Sequence, residues 1–182
     1  MAKVRKGLPL KDSKPGKRST VSSKVIPLTA AEPQTAYINQ SQEAVLSFMG
    51  LSRRRAANMN DEVFFIELIR KGLPKKVLDI LIEKTGLNED EMAAILHISR
   101  RTIQRREPAE YLNPEQSERL LELTRLYIRG EEALGTPERF KDWINTKVLT
   151  LGDKKPKEFL DTSIGINMLL DELGRIEHGV YS

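Results

Sequence analysis

The stretch Ser99-Arg-Arg-Thr-Ile-Gln-Arg-Arg106 carries four arginines and no acidic residue. It follows Glu91-Met-Ala-Ala-Ile-Leu-His97, which has the composition of a short amphipathic helix, after a predicted tight turn. Two short helices joined in this way form a helix-turn-helix, whose second helix enters the major groove of DNA. The sequence therefore predicts a helix-turn-helix over residues 88–107.

The spacing of capping and apolar residues supports this motif. Asn88 with Glu91 three residues later predicts a capping box at the start of the first helix, and Ser99 is a natural N-cap for the second. Small or apolar side chains are expected at the contact between the two helices and in the core beneath them: Ala93, Ile98 and Ile103.

His97 falls in the predicted turn, at a position where glycine is usual because the backbone φ angle is positive. Histidine tolerates positive φ better than most residues, so we interpret His97 as a turn residue and not as a ligand or catalytic group. The other histidine, His178, is far away in the sequence, and the chain has no cysteine. We therefore expect no metal site and no cofactor.

The outward-facing side chains of the second helix predict contacts with operator DNA. Arginine can bond guanine O6 and N7 together and glutamine can bond adenine N6 and N7, which makes Arg100, Arg101 and Gln104 the predicted base readers. A single motif presents little area, so a homodimer on a two-fold repeated site is expected. The alternative is that the arginines form only a solvated helix face. The remaining polar side chains are expected on phosphates: Ser99, Thr102, Arg105 and Arg106.

Positive charge is distributed unevenly along the 182 residues. Residues 1–26 contain eight Lys or Arg and one acid, whereas the remaining residues contain 22 basic and 25 acidic side chains. Residues 1–33, which have almost no large apolar side chains, are expected to form a disordered basic tail. This tail is either an arm that contacts phosphates or a solvated segment without a role; the apolar face of a mitochondrial transit peptide is missing.

Several classes of protein are disfavoured by the composition. No apolar run approaches the ~20 residues that span a bilayer, and no signal peptide is recognisable. The absence of cysteine fits a reducing cytoplasm. Without a glycine-rich phosphate loop, a pair of carboxylates in a plausible cleft or a nucleophile–base pair, we expect no enzymatic activity.

Helical periodicity recurs along the chain and no stretch alternates with period two, so we predict an all-α fold. The helix after Asn113 has an apolar face wide enough to pack on both the motif and a partner subunit. Residues 34–135 are predicted to be a DNA-binding and dimerisation domain, and residues 136–182 a separate domain.

Capping residues, prolines and glycines predict where the helices begin and end. Helix starts are predicted at Ser41, Asn60 or Asp61, Pro74 in the first turn, Asn113, Thr136, Pro156, and Asp161 or Thr162. Helix ends are predicted at Gly50, Gly72, Gly86 and Gly135.

The last residues, Leu173-Gly-Arg-Ile-Glu-His-Gly-Val-Tyr-Ser182, follow a predicted amphipathic helix and suit insertion into a pocket; the alternative is a frayed end. Together with Leu151-Gly-Asp-Lys-Lys-Pro-Lys-Glu-Phe-Leu-Asp-Thr162, they closely resemble the C-terminal domain of Xre-type antitoxins from bacterial RES–Xre toxin–antitoxin systems. Gly72-Leu-Pro74 and the helix-turn-helix resemble the DNA-binding half of the same family, except that His97 replaces its usual glycine. The resemblance covers about residues 60–182.

This resemblance implies an Xre/Cro-like helix-turn-helix domain followed by a small helical toxin-binding domain, in an antitoxin that also represses its own operon. Its partner would be a RES-domain toxin, an enzyme that consumes NAD. The alternatives are a stand-alone helix-turn-helix repressor and an interaction protein that does not bind DNA. By matching position, the residues that would block the toxin's NAD pocket are Arg175, Glu177, His178, Gly179, Val180, Tyr181 and Ser182.

Overall fold

The computed structural model describes residues 42–52 and 61–179, and in these ranges it contains α-helices and 3-10 helices but no strand. The all-α prediction is confirmed. The predictions for the tail of residues 1–33, Ser41 and Asn60 lie outside the described residues. The α-helices are α1 Gln42–Phe48, α2 Asp61–Lys71, α3 Lys75–Thr85, α4 Glu89–Ile95, α5 Arg100–Arg105, α6 Pro114–Leu134, α7 Pro137–Asn145 and α8 Ser163–Glu177.

Helix α6 is the central element of the fold. Its 21 residues make it about 30 Å long, and it contacts α1, α2, α3, α7 and α8. Leu120, Leu123, Leu126 and Tyr127 on this helix are at most 1% exposed. The wide apolar face of α6 was predicted to pack on the motif and on a partner subunit. Helices of the same chain cover much of this face.

Local sequence signals determine where α6 begins and ends. The side chain of Asn113 accepts from the backbone N–H of Gln116, the Gln116 side chain accepts from the backbone of Asn113, and Pro114 occupies the first turn. Gly135 ends the helix with φ 87°. The predicted start and end are both confirmed.

A close contact joins α6 to α7. A Cβ atom at Gly130 would lie 2.1 Å from the ring of Phe140, so only glycine permits this approach. The Phe140 ring packs edge-on against Tyr127, with centroids 4.9 Å apart, and stacks on Trp143. The predicted N-cap Thr136 accepts from the backbone of Arg139, which confirms the start of α7.

The connection between α2 and α3 contains the predicted Gly-Leu-Pro turn. Gly72 has φ 89° and Leu73 is buried. Pro74 was predicted in the first turn of α3, but it is the N-cap, because its ψ of 145° keeps it extended and the helix begins at Lys75. The backbone N–H of Lys75 donates instead to the carbonyl of Glu110, which holds this turn against the segment that precedes α6.

Helix α8 spans Ser163–Glu177. Thr162 caps it by accepting from the backbone of Gly165, as expected. The sequence places Leu173 and Ile176 on the apolar face of this helix, and both lie within it. The first five residues of the 173–182 segment therefore belong to α8: Gly174 is accommodated inside the helix, and the positive φ of Gly179 comes only after its end. Among the described residues, no helix has the length and apolarity needed to cross a membrane.

Candidate functional sites

The helix-turn-helix consists of α4, a turn and α5, and its predicted local features are confirmed. The N–H of Glu91 donates to Asn88 Oδ1 at 2.9 Å, and the N–H of Asn88 donates to Glu91 Oε2 at 2.9 Å. Ser99 caps α5 by accepting from the N–H of Thr102. The three residues expected at the contact between the helices lie in or against the core: Ala93, Ile98 and Ile103.

His97 has φ 52°, which confirms it as the turn residue. Its ring also makes a contact that the sequence did not predict: Nε2 lies 2.9 Å from the carbonyl oxygen of Asp161. A carbonyl oxygen can only accept, so Nε2 carries the proton and donates. The turn of the motif is thereby bonded to the residue that precedes the cap of α8.

A second contact joins the same two regions. Lys157 Nζ donates to Glu91 Oε1 at 2.7 Å, while the other oxygen of Glu91 serves the capping box of α4. Although partial burial alone would raise the pKa of Glu91, the hydrogen bonds from Lys157 and from the backbone of Asn88 bring it below its usual value. The carboxylate is thus ionised when it holds both partners.

The exposed face of α5 carries unpaired positive charge. Arg101 and Arg105 are exposed, and neither makes an ion pair with another residue of the described ranges. The side chain of Arg106 donates to Gln116 Oε1 at 3.0 Å. The structure places these side chains around a shallow concavity of about 430 Å³, which is lined by Ser99, Arg101, Thr102, Arg105, Arg106 and Glu110. We call this concavity the arginine cleft.

Arg100 and Gln104, two of the three predicted base readers, are held by an acidic side chain of α4. Glu89 Oε2 accepts from Arg100 Nε at 2.7 Å and from Gln104 Nε2 at 2.7 Å. Arg100 Nη1 also reaches Asp90 Oδ2 at 3.3 Å. The hydrogen bonds from Arg100 and then Gln104 lower the pKa of Glu89, and the bond to Glu89 raises the pKa of Arg100.

At the other predicted site, Arg175 pairs with Glu172 one turn earlier on α8. Glu172 is 5% exposed and also accepts from Thr150 Oγ1 at 2.6 Å. Burial by itself would raise the pKa of Glu172, but these hydrogen bonds from Thr150 and Arg175 lower it below its usual value. Arg175 therefore helps to neutralise a buried carboxylate within its own helix.

Glu177, in the last turn of α8, pairs with Arg129 of α6. The hydrogen bond from Arg129 is the largest cause that lowers the pKa of Glu177. His178 and Gly179 follow the helix and are exposed, and their backbone N–H groups close its last turn. The predicted toxin-contacting residues beyond them, Val180, Tyr181 and Ser182, lie outside the described residues.

Two family models match consecutive parts of this chain and together span more than half of it. The Antitoxin Xre-like helix-turn-helix domain matches residues 64–125, which contain α4 and α5. The Antitoxin Xre/MbcA/ParS C-terminal toxin-binding domain matches residues 129–179, which contain α7 and α8. The chain belongs to the Xre-type antitoxins.

Curated relatives and a solved structure resemble this antitoxin. Antitoxin Xre of Yersinia enterocolitica is 27% identical over 119 residues, which is 64% of this chain and 80% of that protein. Antitoxin Xre of Photorhabdus laumondii is 24% identical over 63% of this chain and 79% of that protein. A chain of the M. tuberculosis MbcT-MbcA toxin–antitoxin complex matches 59% of this chain and 96% of its own length, with 18% identity and a TM-score of 0.44.

Sequence reasoning missed the residues that hold the antitoxin's predicted contact residues in place. Glu89 is 11 residues from Arg100, and Arg129 is 48 residues from Glu177. Neither separation corresponds to a helical or capping pattern that a sequence reveals. Only a fold in which α4 crosses α5 and α8 lies along α6 brings these charges together.

Proposed function

We propose that this antitoxin neutralises a RES-domain toxin that consumes NAD and represses its own operon as a homodimer. The order of the two matched domains is the observation that carries the proposal: a toxin-binding domain follows an Xre-like helix-turn-helix in one chain. The RES class of the toxin rests on the resemblance of residues 151–162 and 173–182 to antitoxins of RES–Xre systems.

The C-terminal segment, defined here as residues 178–182, is the proposed blocking element. The internal ion pairs of Arg175 and Glu177 support a division of labour. Arg175 pairs with Glu172 inside α8, and Glu177 ties the last turn of α8 to Arg129 of α6, so both side chains already have partners within the antitoxin. The residues after Glu177 are then the part of the chain offered to the toxin's active site.

The arginine cleft is the proposed DNA-contacting surface. Arg101 and Arg105 are exposed on the outer side of α5 and have no internal ion pair in the described ranges. Arginine in this position can bond a guanine edge or a phosphate. A dimer would place two copies of α5 about one helical turn of DNA apart, on a two-fold repeated operator.

A two-part experiment tests this function. The product of the neighbouring gene is purified with and without the antitoxin, and its consumption of NAD is followed while full-length antitoxin is titrated in. We expect co-purification and a stoichiometric loss of NAD consumption. A neighbouring gene product that consumes no NAD, or that ignores the antitoxin, would contradict the proposed partner. A gel shift on the promoter fragment tests the repressor function separately.

A further inference from the structure

Glu89 is the first residue of α4, and its side chain reaches across to α5. Its Oε2 atom accepts two hydrogen bonds of 2.7 Å, one from Arg100 Nε and one from Gln104 Nε2. The two donors lie four residues apart, so they are neighbours on one face of α5. One acidic residue of the first helix therefore fixes two polar side chains of the second.

The chemistry of these bonds determines how the Gln104 amide is oriented. A carboxylate accepts hydrogen bonds and cannot donate them, so the amide nitrogen of Gln104 faces Glu89. The amide oxygen then faces away from Glu89, and the side chain is exposed to solvent. In this orientation, Gln104 presents its amide oxygen as a hydrogen-bond acceptor, and one N–H of the amide is already used by Glu89.

An outward acceptor has a defined set of partners in the major groove. Adenine presents an amino donor at N6 and cytosine presents one at N4, whereas guanine and thymine present acceptors at O6, N7 and O4. A freely rotating glutamine can turn its amide and serve either kind of base. A glutamine whose nitrogen is anchored favours adenine or cytosine.

We propose that Glu89 is a positioning residue that determines base specificity: it holds Gln104 with its amide oxygen towards the groove and withholds Arg100 from the phosphates. The inference rests on the proposed DNA binding and goes beyond it, because it assigns a role to a residue of α4. The base pair read by Gln104 would then present an amino group of adenine or cytosine.

An acid beside a DNA-binding helix also has a cost in affinity. Glu89 repels the phosphate backbone, and Arg100 carries little net charge towards DNA while it is paired with Glu89 and Asp90. Removing Glu89 should therefore raise affinity for DNA of any sequence while weakening discrimination between sequences. If Arg100 then gains a phosphate, the salt dependence steepens by about 0.9 in log–log slope. Opposite effects on affinity and on specificity distinguish this role from a merely structural one.

The experiment uses the full-length antitoxin with two DNA probes: a pool of randomised duplexes and the antitoxin's own promoter fragment at several salt concentrations. Glu89→Ala is compared with Glu107→Ala. Glu107 is an exposed acid just after α5 that lies outside the arginine cleft and makes no hydrogen bond to Gln104 in the described ranges, so it controls for the loss of a negative charge near DNA. Thermal unfolding of each variant shows that it is folded.

We expect Glu89→Ala to bind the pool of randomised duplexes more tightly than the wild type does. At one base pair, the ratio of affinities for the preferred base and the other bases should fall about tenfold, which is the order of magnitude of one base contact. Glu107→Ala should gain affinity with its base preference unchanged. Glu89→Gln retains an acceptor oxygen and should keep more of the preference than Glu89→Ala. In a Gln104→Ala background, Glu89→Ala should cause no further loss of preference.

The inference is overturned if Glu89→Ala, or Glu89→Gln where the alanine variant does not fold, leaves base preference as in the wild type, whatever its effect on affinity. It is also overturned if the losses from Glu89→Ala and Gln104→Ala simply add. A wild-type antitoxin that binds neither the pool nor the promoter would be a different result, because it would remove the proposed DNA binding itself.

Discussion

The exposed face of α5 and the end of α8 are both rich in charge, but they differ in how much of that charge is paired within the chain. Arg101 and Arg105 on α5 have no ion pair in the described ranges, whereas Arg175 and Glu177 on α8 pair with Glu172 and Arg129. Unpaired charge is available to a highly charged partner such as DNA. The pair of Glu177 with Arg129 instead joins the last turn of α8 to α6 and fixes the position of that turn.

The largest expected effect comes from removing the unpaired arginines. The double variant Arg101→Ala/Arg105→Ala should lower promoter affinity by more than about tenfold and flatten the salt dependence by about 2 in log–log slope, because each arginine is expected to serve one phosphate or base. Arg100→Ala is the matched control and should lose less, because Glu89 already holds Arg100. Equal losses in both variants, measured by fluorescence anisotropy, would remove the distinction between paired and unpaired arginines.

A somewhat smaller effect should follow from disturbing the contact between α8 and the 3-10 helix that precedes it. A Cβ atom at Gly165 would lie 2.0 Å from the carbonyl oxygen of Phe159, so Gly165→Ala forces the helix away from the 3-10 helix Pro156–Phe159. We expect a loss of about 1–3 kcal/mol in the free energy of unfolding.

Gly174→Ala provides the control on the same helix. A Cβ at Gly174 meets no atom within 4 Å, and alanine favours a helix interior, so this variant should gain up to about 1 kcal/mol. Urea unfolding measures both variants. Gly165→Ala as stable as the wild type would contradict the close packing of α8.

A change at the turn of the motif should have a net effect of about 1 kcal/mol or less. His97→Gly removes the strain of a positive φ but loses the hydrogen bond to the carbonyl of Asp161. His97→Ala loses the bond and keeps the strain, so it should be less stable than His97→Gly by roughly 1 kcal/mol. The two variants would have equal unfolding free energies if the turn were unstrained.

The smallest effect is expected from the ion pair that anchors the end of α8. Glu177→Gln should lower the free energy of unfolding by about 0.5 kcal/mol at neutral pH, because the pair is partly exposed. The pKa of Glu177 is lowered in the folded state. Its contribution is therefore present above its unfolded pKa of about 4.3 and disappears as the pH falls through the lower folded value.

Glu118→Gln, an exposed change on α6, is the control for this pH dependence. Glu118 makes no ion pair within the described ranges, and its replacement should leave the unfolding free energy nearly unchanged across the same pH series. A stability difference between Glu177→Gln and the wild type that grew on acidification would contradict the assigned pairing.

The local features of the fold were predictable because each depends on residues three or four apart. The capping boxes at Asn88 and Asn113 follow from such spacings, and the helix end at Gly135 and the turn at His97 follow from single residues that tolerate positive φ. The boundary at Pro74 was misplaced by one residue, because Pro74 keeps an extended ψ of 145° and the helix begins only at Lys75, whose N–H donates to the carbonyl of Glu110.

The functional side chains were predictable in type but not in environment. Sequence composition placed arginines and a glutamine on α5, but it did not indicate that Glu89 would engage Arg100 and Gln104. The end of α8 shows the same limit, because Arg129 meets Glu177 only after α6 and α8 have packed together. The predicted division into residues 34–135 and 136–182 stays a prediction, and the two family models meet inside α6, between residues 125 and 129.

We propose that the C-terminal segment neutralises the toxin while the helix-turn-helix binds DNA independently. The most direct test is NAD consumption by the toxin in the presence of an antitoxin that lacks residues 178–182, because this deletion leaves α8 and its pair with Arg129 intact. We predict that the truncated antitoxin fails to stop NAD consumption while its promoter affinity equals that of the full chain. Full inhibition by the truncated antitoxin would contradict it.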